Sequence, residues 1–302
     1  MNSSLFTLGT AQLGMEYGIA NKTGKLNKKQ AFRLLDEAVS LDILSFDTAY
    51  AYGTSEEILG QYFQQNQGLK PEIITKLKPL DINSHTSDKQ AIQQLDESLS
   101  MSIERLKIEP IPVLLFHRYE NLIWHNGFLL KYLMQNDLVK MIGVSVSTPD
   151  EAASAIVMKG VSAIQLPTNL LDLRYLNKGI FELATQYKVQ IFIRSIYLQG
   201  LLFLDTKNFP SSLHEAKFLI IKLKQFCVDY KISSLKKLTF SFLKSISGNN
   251  RIVIGSETPK QIIENCNLMK STKAMSKQLM SNLLEINTGL SDFILDPSYW
   301  RV

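Results

Sequence analysis

The chain has 302 residues, with 33 Lys and Arg against 28 Asp and Glu, so its formal charge of +5 is the small remainder of a nearly balanced set. A 45% hydrophobic content with only 15 Gly and 9 Pro excludes a disordered, low-complexity or collagen-like chain. Two cysteines, Cys227 and Cys266, cannot build a disulfide framework, and neither stands in a metal-type spacing with the other or with a histidine.

The charge excess is local. Between Asp205 and Asn250 eight lysines face Asp205, Glu215 and Asp229, which accounts for the whole +5. Lys217, Lys224, Lys231 and Lys236 alternate there with apolar residues at helical spacing, the mark of a solvated helix face, and no zinc-finger or aromatic-basic pattern points to nucleic acid. Met1–Met15 has neither the basic residues nor the apolar run of a leader, and no stretch approaches the roughly 18 apolar residues of a membrane span. The expectation is a cytoplasmic protein without a membrane partner.

In chain order, short β-branched and apolar runs alternate with longer segments of helical period. The strand candidates are Leu5–Leu13, Ile43–Thr48, Glu72–Leu77, Val113–His117, Met141–Val146, Ala163–Leu166, Gln190–Ser195 and Arg251–Ile254. Between them, Phe32, Leu35, Ala38 and Val39 mark one apolar helix stripe, and Ile92, Leu95, Leu99, Ile103 and Leu106 another. Helix starts are marked by a capping oxygen followed three residues later by Glu or Gln: Asn27 with Gln30, Thr54 with Glu57, Thr148 with Glu151 and Thr258 with Gln261. Pro149 and Pro259 fall at first helical positions, where a missing N–H costs nothing, and Gly160 is expected to stop the helix that Thr148 starts. No linker divides the chain. Eight βα units predict an α/β fold, a (β/α)8 TIM barrel over residues 1–302 as a single domain, with Ser276–Val302 as a C-terminal helical extension.

In such a barrel function collects where the strands end. The second strand runs into Phe46-Asp47-Thr48-Ala49-Tyr50-Ala51-Tyr52-Gly53, the third ends at Thr75-Lys76 and the fourth at Phe116-His117. An acid, a phenol, an ammonium and an imidazole therefore share one rim. A phenol with pKa about 10 is a poor proton donor at neutral pH. An ammonium about 4 Å away favours phenolate by about 4 kcal/mol at an effective dielectric near 20, so Lys76 is expected to draw the pKa of Tyr52 down. Asp47 is available to keep a buried Lys76 charged, and His117 to orient a substrate oxygen. Of His85, His117, His125 and His214 only one ends a strand, so no metal site is expected.

With these residues in place the chain resembles an aldo-keto reductase, a family of NAD(P)-dependent (β/α)8 enzymes. Leu8-Gly9-Thr10-Ala11-Gln12-Leu13-Gly14 is similar to the family's first strand and glycine loop, and Phe46–Gly53 followed by Ser55-Glu56-Glu57-Ile58-Leu59-Gly60 to its most recognisable signature. The resemblance implies Tyr52 as general acid, Asp47 and Lys76 as its tuning pair and His117 as the orienting residue. It also implies the cofactor surface. Ile142-Gly143-Val144-Ser145 resembles the strand whose serine holds the nicotinamide amide; Val146 replaces the asparagine that usually follows, which leaves the amide to Ser145 and Gln165. Arg194-Ser195-Ile196-Tyr197-Leu198-Gln199-Gly200 is similar to the loop along the cofactor and implies contacts from Arg194, Ser195, Leu198 and Gly200. Arg194 stands where many members stack an aromatic on the nicotinamide, which a guanidinium plane can also do.

After the last strand, Gly255, Ser256, Thr258, Gln261, Glu264 and Asn265 fall on the segment that meets the adenosine phosphate and adenine, and a helix N-terminus suits phosphate on general grounds. Gln261 replaces an arginine common in NADP-preferring members, Glu257 lies nearby, and Lys260 is the compensating charge the sequence offers. NADP is the expected cofactor, with NAD the alternative. The expected activity is NAD(P)H-dependent reduction of an aldehyde, ketone or sugar carbonyl, with a small-molecule carbonyl substrate and the protein a monomer or dimer. The rival is a catalytically weak NADP(H)-binding sensor or regulatory barrel; a metal-dependent isomerase on the same fold lacks its ligands.

Overall fold

The structure, a computed structural model, describes residues 5–21, 24–205, 209–287 and 289–300. Eight parallel strands close into a barrel in chain order, with the last pairing back onto the first. They are β1 (Phe6–Gly9), β2 (Ser45–Asp47), β3 (Glu72–Lys76), β4 (Ile111–Phe116), β5 (Val139–Ser145), β6 (Ala163–Pro167), β7 (Gln190–Arg194) and β8 (Asn250–Gly255). Around them lie α1 (Ala11–Gly14), α2 (Lys28–Ser40), α3 (Ser55–Gln65), α4 (Asp88–Leu106), α5 (Tyr119–Leu133), α6 (Pro149–Ile156), α7 (Arg174–Asn177) and α8 (Ile180–Tyr187). The chain then adds α9 (His214–Asp229), α10 (Leu235–Leu243), α11 (Pro259–Ser271), α12 (Lys277–Ile286) and α13 (Asp292–Leu295). The (β/α)8 expectation is met. No helix among the described residues is long and apolar enough to cross a membrane.

The predicted helix stripes face the barrel. α4 buries Leu95, Leu99 and Leu106 completely, worth about 1.5–3 kcal/mol per side chain, with Ile92 and Ile103 at the edge of the same contact. Asn27–Gln30 and Thr148–Glu151 form full reciprocal capping boxes, and so do Ser87 and Gln90, a pair the sequence reading passes over.

Four local expectations are corrected. The strand expected over Leu5–Leu13 stops at Gly9 and turns into α1, because Leu13 N–H bonds back to the Thr10 carbonyl instead of continuing a ladder. Thr54 makes no cap; its hydroxyl accepts from Lys25 Nζ at 2.9 Å, and Glu57 faces Arg105 at 3.6 Å. Thr258 does cap α11, but Gln261 reaches one residue further back, to the Glu257 N–H at 2.7 Å, so the box is half closed. Gly160 does not end α6. That helix stops at Ile156 with Val157 as its cap, and Gly160, at φ +101°, serves the turn beyond it.

Alternation across the strands decides what faces the barrel axis. Ile74, Val113, Leu115, Ala163, Phe192 and Val253 form an interior cluster distinct from the core outside the barrel. Two residues beyond Ile74, Leu115, Ala163, Phe192 and Val253 come Lys76, His117, Gln165, Arg194 and Gly255, which therefore continue the inward face into the C-terminal mouth. Packed apolar layers below and polar groups above leave the mouth as the place where a ligand can lie.

The C-terminal extension contains α12 and α13, with residues 288, 301 and 302 outside the described residues. Arg174 fastens it. Its fork holds Asp172 through Nε (2.9 Å) and Nη2 (2.8 Å) while Nη1 reaches Asp292 at 2.6 Å. Trp300 folds back on the tail, its indole N–H donating to the Phe293 carbonyl at 3.0 Å.

Candidate active site

Asp47, Lys76 and Gln165 meet at one carboxylate oxygen. Lys76 Nζ lies 2.7 Å and Gln165 Nε2 2.6 Å from Asp47 Oδ1, and Lys76 also donates to the Thr48 carbonyl at 2.7 Å. All three side chains are buried, Lys76 to 1% exposure, so the ion pair is largely withdrawn from water. The ammonium stands 4.9 Å from the centroid of the Tyr52 ring.

Tyr52 sits on a turn rather than a strand, and a hydroxyl network holds that turn. Thr10 donates to the Asp47 carbonyl at 2.8 Å, Thr48 donates to Ser55 Oγ at 3.0 Å, and Ser55 donates to the Thr10 carbonyl at 2.9 Å. A side chain on Gly14 would run into the backbone of Tyr52, and Gly53, at φ +55°, presses against Gly14 in the same way, so only glycine admits this approach. Behind the turn the buried Glu56 carboxylate accepts from Thr75 Oγ1 at 2.7 Å and lies 3.5 Å from Arg105.

The electrostatics depart from the sequence expectation at Tyr52. Its phenol is driven up rather than down, first by burial and then by Asp47, with Arg194 opposing. Lys76 is committed to Asp47, and its own pKa is lowered by burial and supported by that carboxylate. His117 is held neutral: burial, then the Lys76, Arg194 and Arg118 charges, take it down to about 4 against a backbone hydrogen bond at Leu77. Its Nδ1 is buried without a partner.

Tyr17, in the loop after α1, is a site residue that the strand-end reading misses. The residue is 39% exposed, yet its phenol is pushed up to about 12, first by burial and then by Tyr52 and Asp47, with Arg194 and Lys76 opposing. The YGIAN stretch beginning at Tyr17 lies too far past β1 to be assigned to the mouth by strand position alone.

From this mouth a cleft with about 1220 Å³ of empty space, counting its open side, runs across β1 and β8 to α11. Gly9 and Gly255, paired across the two strands, give its floor no side chains. Of the sequence-predicted cofactor residues, Arg194, Ser195, Gly200, Gly255, Ser256, Gln261 and Asn265 line it. Ser145 and Gln165 belong to the mouth instead, Leu198 is wholly buried, Thr258 is spent on capping, and Glu264 stands at the edge, paired with Lys236 at 2.8 Å. Tyr17, Tyr197 and Lys236 line the cleft without having been predicted.

A nicotinamide dinucleotide fits these residues. Ser256 Oγ and Gln165 Oε1 are buried without hydrogen-bond partners at two places along its path, which is a cost unless a ligand satisfies them. The first turn of α11 opens on the cleft at Gln261, and helix N-termini receive phosphate. Asn265 Oδ1 accepts from the Tyr197 phenol at 2.9 Å, leaving its amide nitrogen for a base. Among the described residues no group of three or more His, Cys, Asp or Glu could hold a metal.

A closed eight-stranded barrel with a Tyr–Lys–Asp–His constellation at its mouth is the arrangement of an oxidoreductase class. The chain belongs to the Aldo/keto reductase family, whose sequence model matches residues 6–287. It is 25% identical over 204 residues to the Bacillus subtilis (strain 168) protein named uncharacterized oxidoreductase YqkF, a stretch covering 65% of each chain. Among solved structures it resembles the aldo-keto reductase AKR11C1 from Bacillus halodurans in its holo form, with TM-score 0.71, 16% identity, and 95% of this chain and 93% of that one covered. It also resembles the glycerol dehydrogenase AKR11B4 from Gluconobacter oxydans, with TM-score 0.68, 18% identity, and 93% and 90% covered. At these identities the structural likenesses establish the fold alone.

Proposed function

We propose that the protein is a cytoplasmic NAD(P)H-dependent carbonyl reductase that converts an aldehyde, ketone or sugar carbonyl to the alcohol. The observation that carries this reading is the convergence of Tyr52, Lys76 and Asp47 at one end of a glycine-floored cleft, with His117 within reach of the Lys76 charge. A reduced nicotinamide dinucleotide, when bound, supplies the hydride. Asn265, Ser256, Gly255 and Gln261 hold its adenosine end, Gly200 and Ser195 flank it, and Arg194, Gln165 and Ser145 face the nicotinamide end. NADP is the preferred form, with the 2′-phosphate at the α11 side of the cleft.

Tyr52 keeps its proton through the physiological range, since burial and Asp47 both favour the neutral phenol. That proton leaves only when a stronger base forms beside it, and an alkoxide generated from the carbonyl oxygen is such a base. As the phenol gives up its proton, the buried Lys76 ammonium is placed to meet the developing phenolate charge in a site screened from water. Asp47 keeps that ammonium charged. His117, neutral at pH 7, is too weak an acid to protonate the oxygen, so it orients the carbonyl oxygen by donating a hydrogen bond from its ring N–H.

The test begins with calorimetric titration of NADPH and NADH into the protein, followed by an absorbance screen against aldehydes, ketones and sugars. Tyr52→Phe is expected to bind cofactor as the parent does and to lose turnover by about 10²–10⁴-fold. Retained turnover in that variant removes the mechanism. Tight cofactor binding with no turnover by the parent across the panel returns the chain to the sensor reading.

A further inference from the structure

The inward face of the mouth carries one carboxylate and two strong cations, and only one cation is matched. Asp47 is paired with Lys76 at 2.7 Å. Arg194 takes part in none of the ion pairs among the described residues. Its guanidinium is half-buried and bonds two neutral oxygens, Ser195 Oγ from Nη1 at 3.3 Å and the Val146 carbonyl from Nη2 at 3.2 Å. Five donors less these two leave three N–H groups for something else. A half-buried guanidinium that lines the cleft without a counter-charge is available to an anion there, and its fork matches carboxylate and phosphate.

Two further groups nearby lack partners. The Tyr175 hydroxyl, on a wholly buried side chain, is unbonded and feels Arg194 more than any other charge. His117 Nδ1 is buried and unbonded, and its ring feels both Arg194 and the rim residue Arg118. No group of the expected cofactor answers this charge at this end of the cleft. A reduced nicotinamide ring is neutral, and the phosphate-receiving features, the α11 N-terminus with Ser256 and Lys236, lie toward the cleft's other end.

We infer that Arg194 is a specificity-determining residue for an anionic substrate, a carbonyl compound bearing a carboxylate or phosphate that the Arg194 fork receives while Tyr52 and His117 hold the carbonyl oxygen. This rests on the carbonyl-reductase reading and narrows its substrate class to oxo acids and phosphorylated aldehydes. Arg118 adds a second positive charge at the rim, which draws anions in and makes the preference sensitive to salt.

The test compares matched pairs on the protein with its preferred reduced cofactor: benzaldehyde with 4-carboxybenzaldehyde, and glyceraldehyde with glyceraldehyde 3-phosphate. The anionic member of at least one pair is expected to have the higher kcat/KM by about 10- to 100-fold, mostly through KM. Arg194→Gln is expected to lower kcat/KM of the anionic member by about 10- to 100-fold more than that of the neutral member, over and above any change the two members share through the cofactor. Arg194→Lys, which keeps the charge and loses the fork, is expected to fall between. Which pair responds separates a carboxylate from a phosphate. Equal kcat/KM for both members of both pairs overturns the inference and leaves the reductase reading standing. So does an Arg194→Gln variant that loses kcat equally on neutral and anionic members, which assigns the charge to the reacting oxygen, or one whose defect is confined to cofactor Kd. If the parent turns over nothing, the reductase reading fails, and calorimetry with benzoate against benzamide and with glycerol 3-phosphate against glycerol, in the presence of oxidised cofactor, still decides the anion site: Arg194-dependent binding of either anion over its neutral partner supports it, and no such binding of either overturns it.

Discussion

Lys76 and Asp47 form an ion pair 2.7 Å long in which the lysine side chain is 1% and the aspartate side chain 6% exposed. Sealed pairs of this kind contribute little net stability, but removal of one member strands the other. Lys76→Met leaves Asp47 charged and buried with only Gln165 for a partner, and should cost about 3–5 kcal/mol in denaturant unfolding. Adding Asp47→Asn should recover roughly half or more of that loss, because the stranded charge is gone. Activity should not return in the double variant, since nothing then meets the phenolate charge on Tyr52. Recovery of stability and turnover together would show that the pair has only a structural role.

His117 supplies a pH signature. Its folded pKa of about 4 lies below the ordinary 6.5 of the unfolded chain. Above 6.5 both states are neutral there and the group has no effect on stability. Between 6.5 and 4 the unfolded chain binds the proton first, so stability falls as pH drops through that window, by about 3 kcal/mol at its lower end. Urea melts from pH 7 to 4 should show this slope in the parent and lose it in His117→Gln. A ring resonance of His117 that titrates near 6.5 would remove both the slope and the neutral-imidazole role.

How much of this was legible in the sequence follows from what each residue depends on. Asp47, Lys76 and His117 could be placed at the mouth because strand ends are legible locally, whereas Gln165 and Arg194 were reached through the family resemblance; the apolar cluster two positions before Lys76, His117, Gln165 and Arg194 gives the inward parity of those four. Tyr52 was found through its motif, although its pKa direction was not. Whether burial or a nearby cation wins depends on how far Asp47 absorbs the Lys76 charge, a distance that no spacing encodes. Tyr17 and Lys236 were missed because they reach the cleft from a loop and from α10, away from the strand ends where the barrel rule looks. Arg194 was seen but read only as a plane, because the lack of a counter-ion appears once the neighbours are in place.

The contact between the end of α1 and the catalytic turn can be tested without touching a polar group. The Cβ of Gly14→Ala would occupy the space of the Tyr52 carbonyl and the Thr54 and Ser55 amides. Backbone must give way, so the variant should lose about 1–3 kcal/mol of stability. The displaced phenol should lower kcat much more than cofactor affinity, by about 10²-fold if the oxygen moves by 1 Å. Gly68→Ala, where an added methyl meets nothing within 4 Å, is the control and should leave both unchanged. Normal kcat in Gly14→Ala would mean that the turn tolerates the shift and that the hydroxyl network alone positions Tyr52.

Cofactor preference should depend on Lys236 more than on Lys260, which the sequence offered as the compensating charge. Lys236 lines the cleft, 2.8 Å from Glu264 Oε2 and 5.7 Å from the centroid of the Phe203 ring, whereas Lys260 is exposed on the first turn of α11. An ammonium held by a surface carboxylate is available to a stronger anion, and a phosphate dianion is one. Lys236→Ala should therefore weaken NADPH binding about tenfold, the worth of one charge-assisted contact, and leave NADH nearly unchanged. Glu264→Gln, which releases the ammonium and removes a competing negative charge, should shift the ratio of the two dissociation constants the other way by a few-fold. Lys260→Ala should move neither. Equal changes in both dissociation constants for Lys236→Ala would mean that the 2′-phosphate lies elsewhere, and a large effect at Lys260 would restore the sequence-based choice.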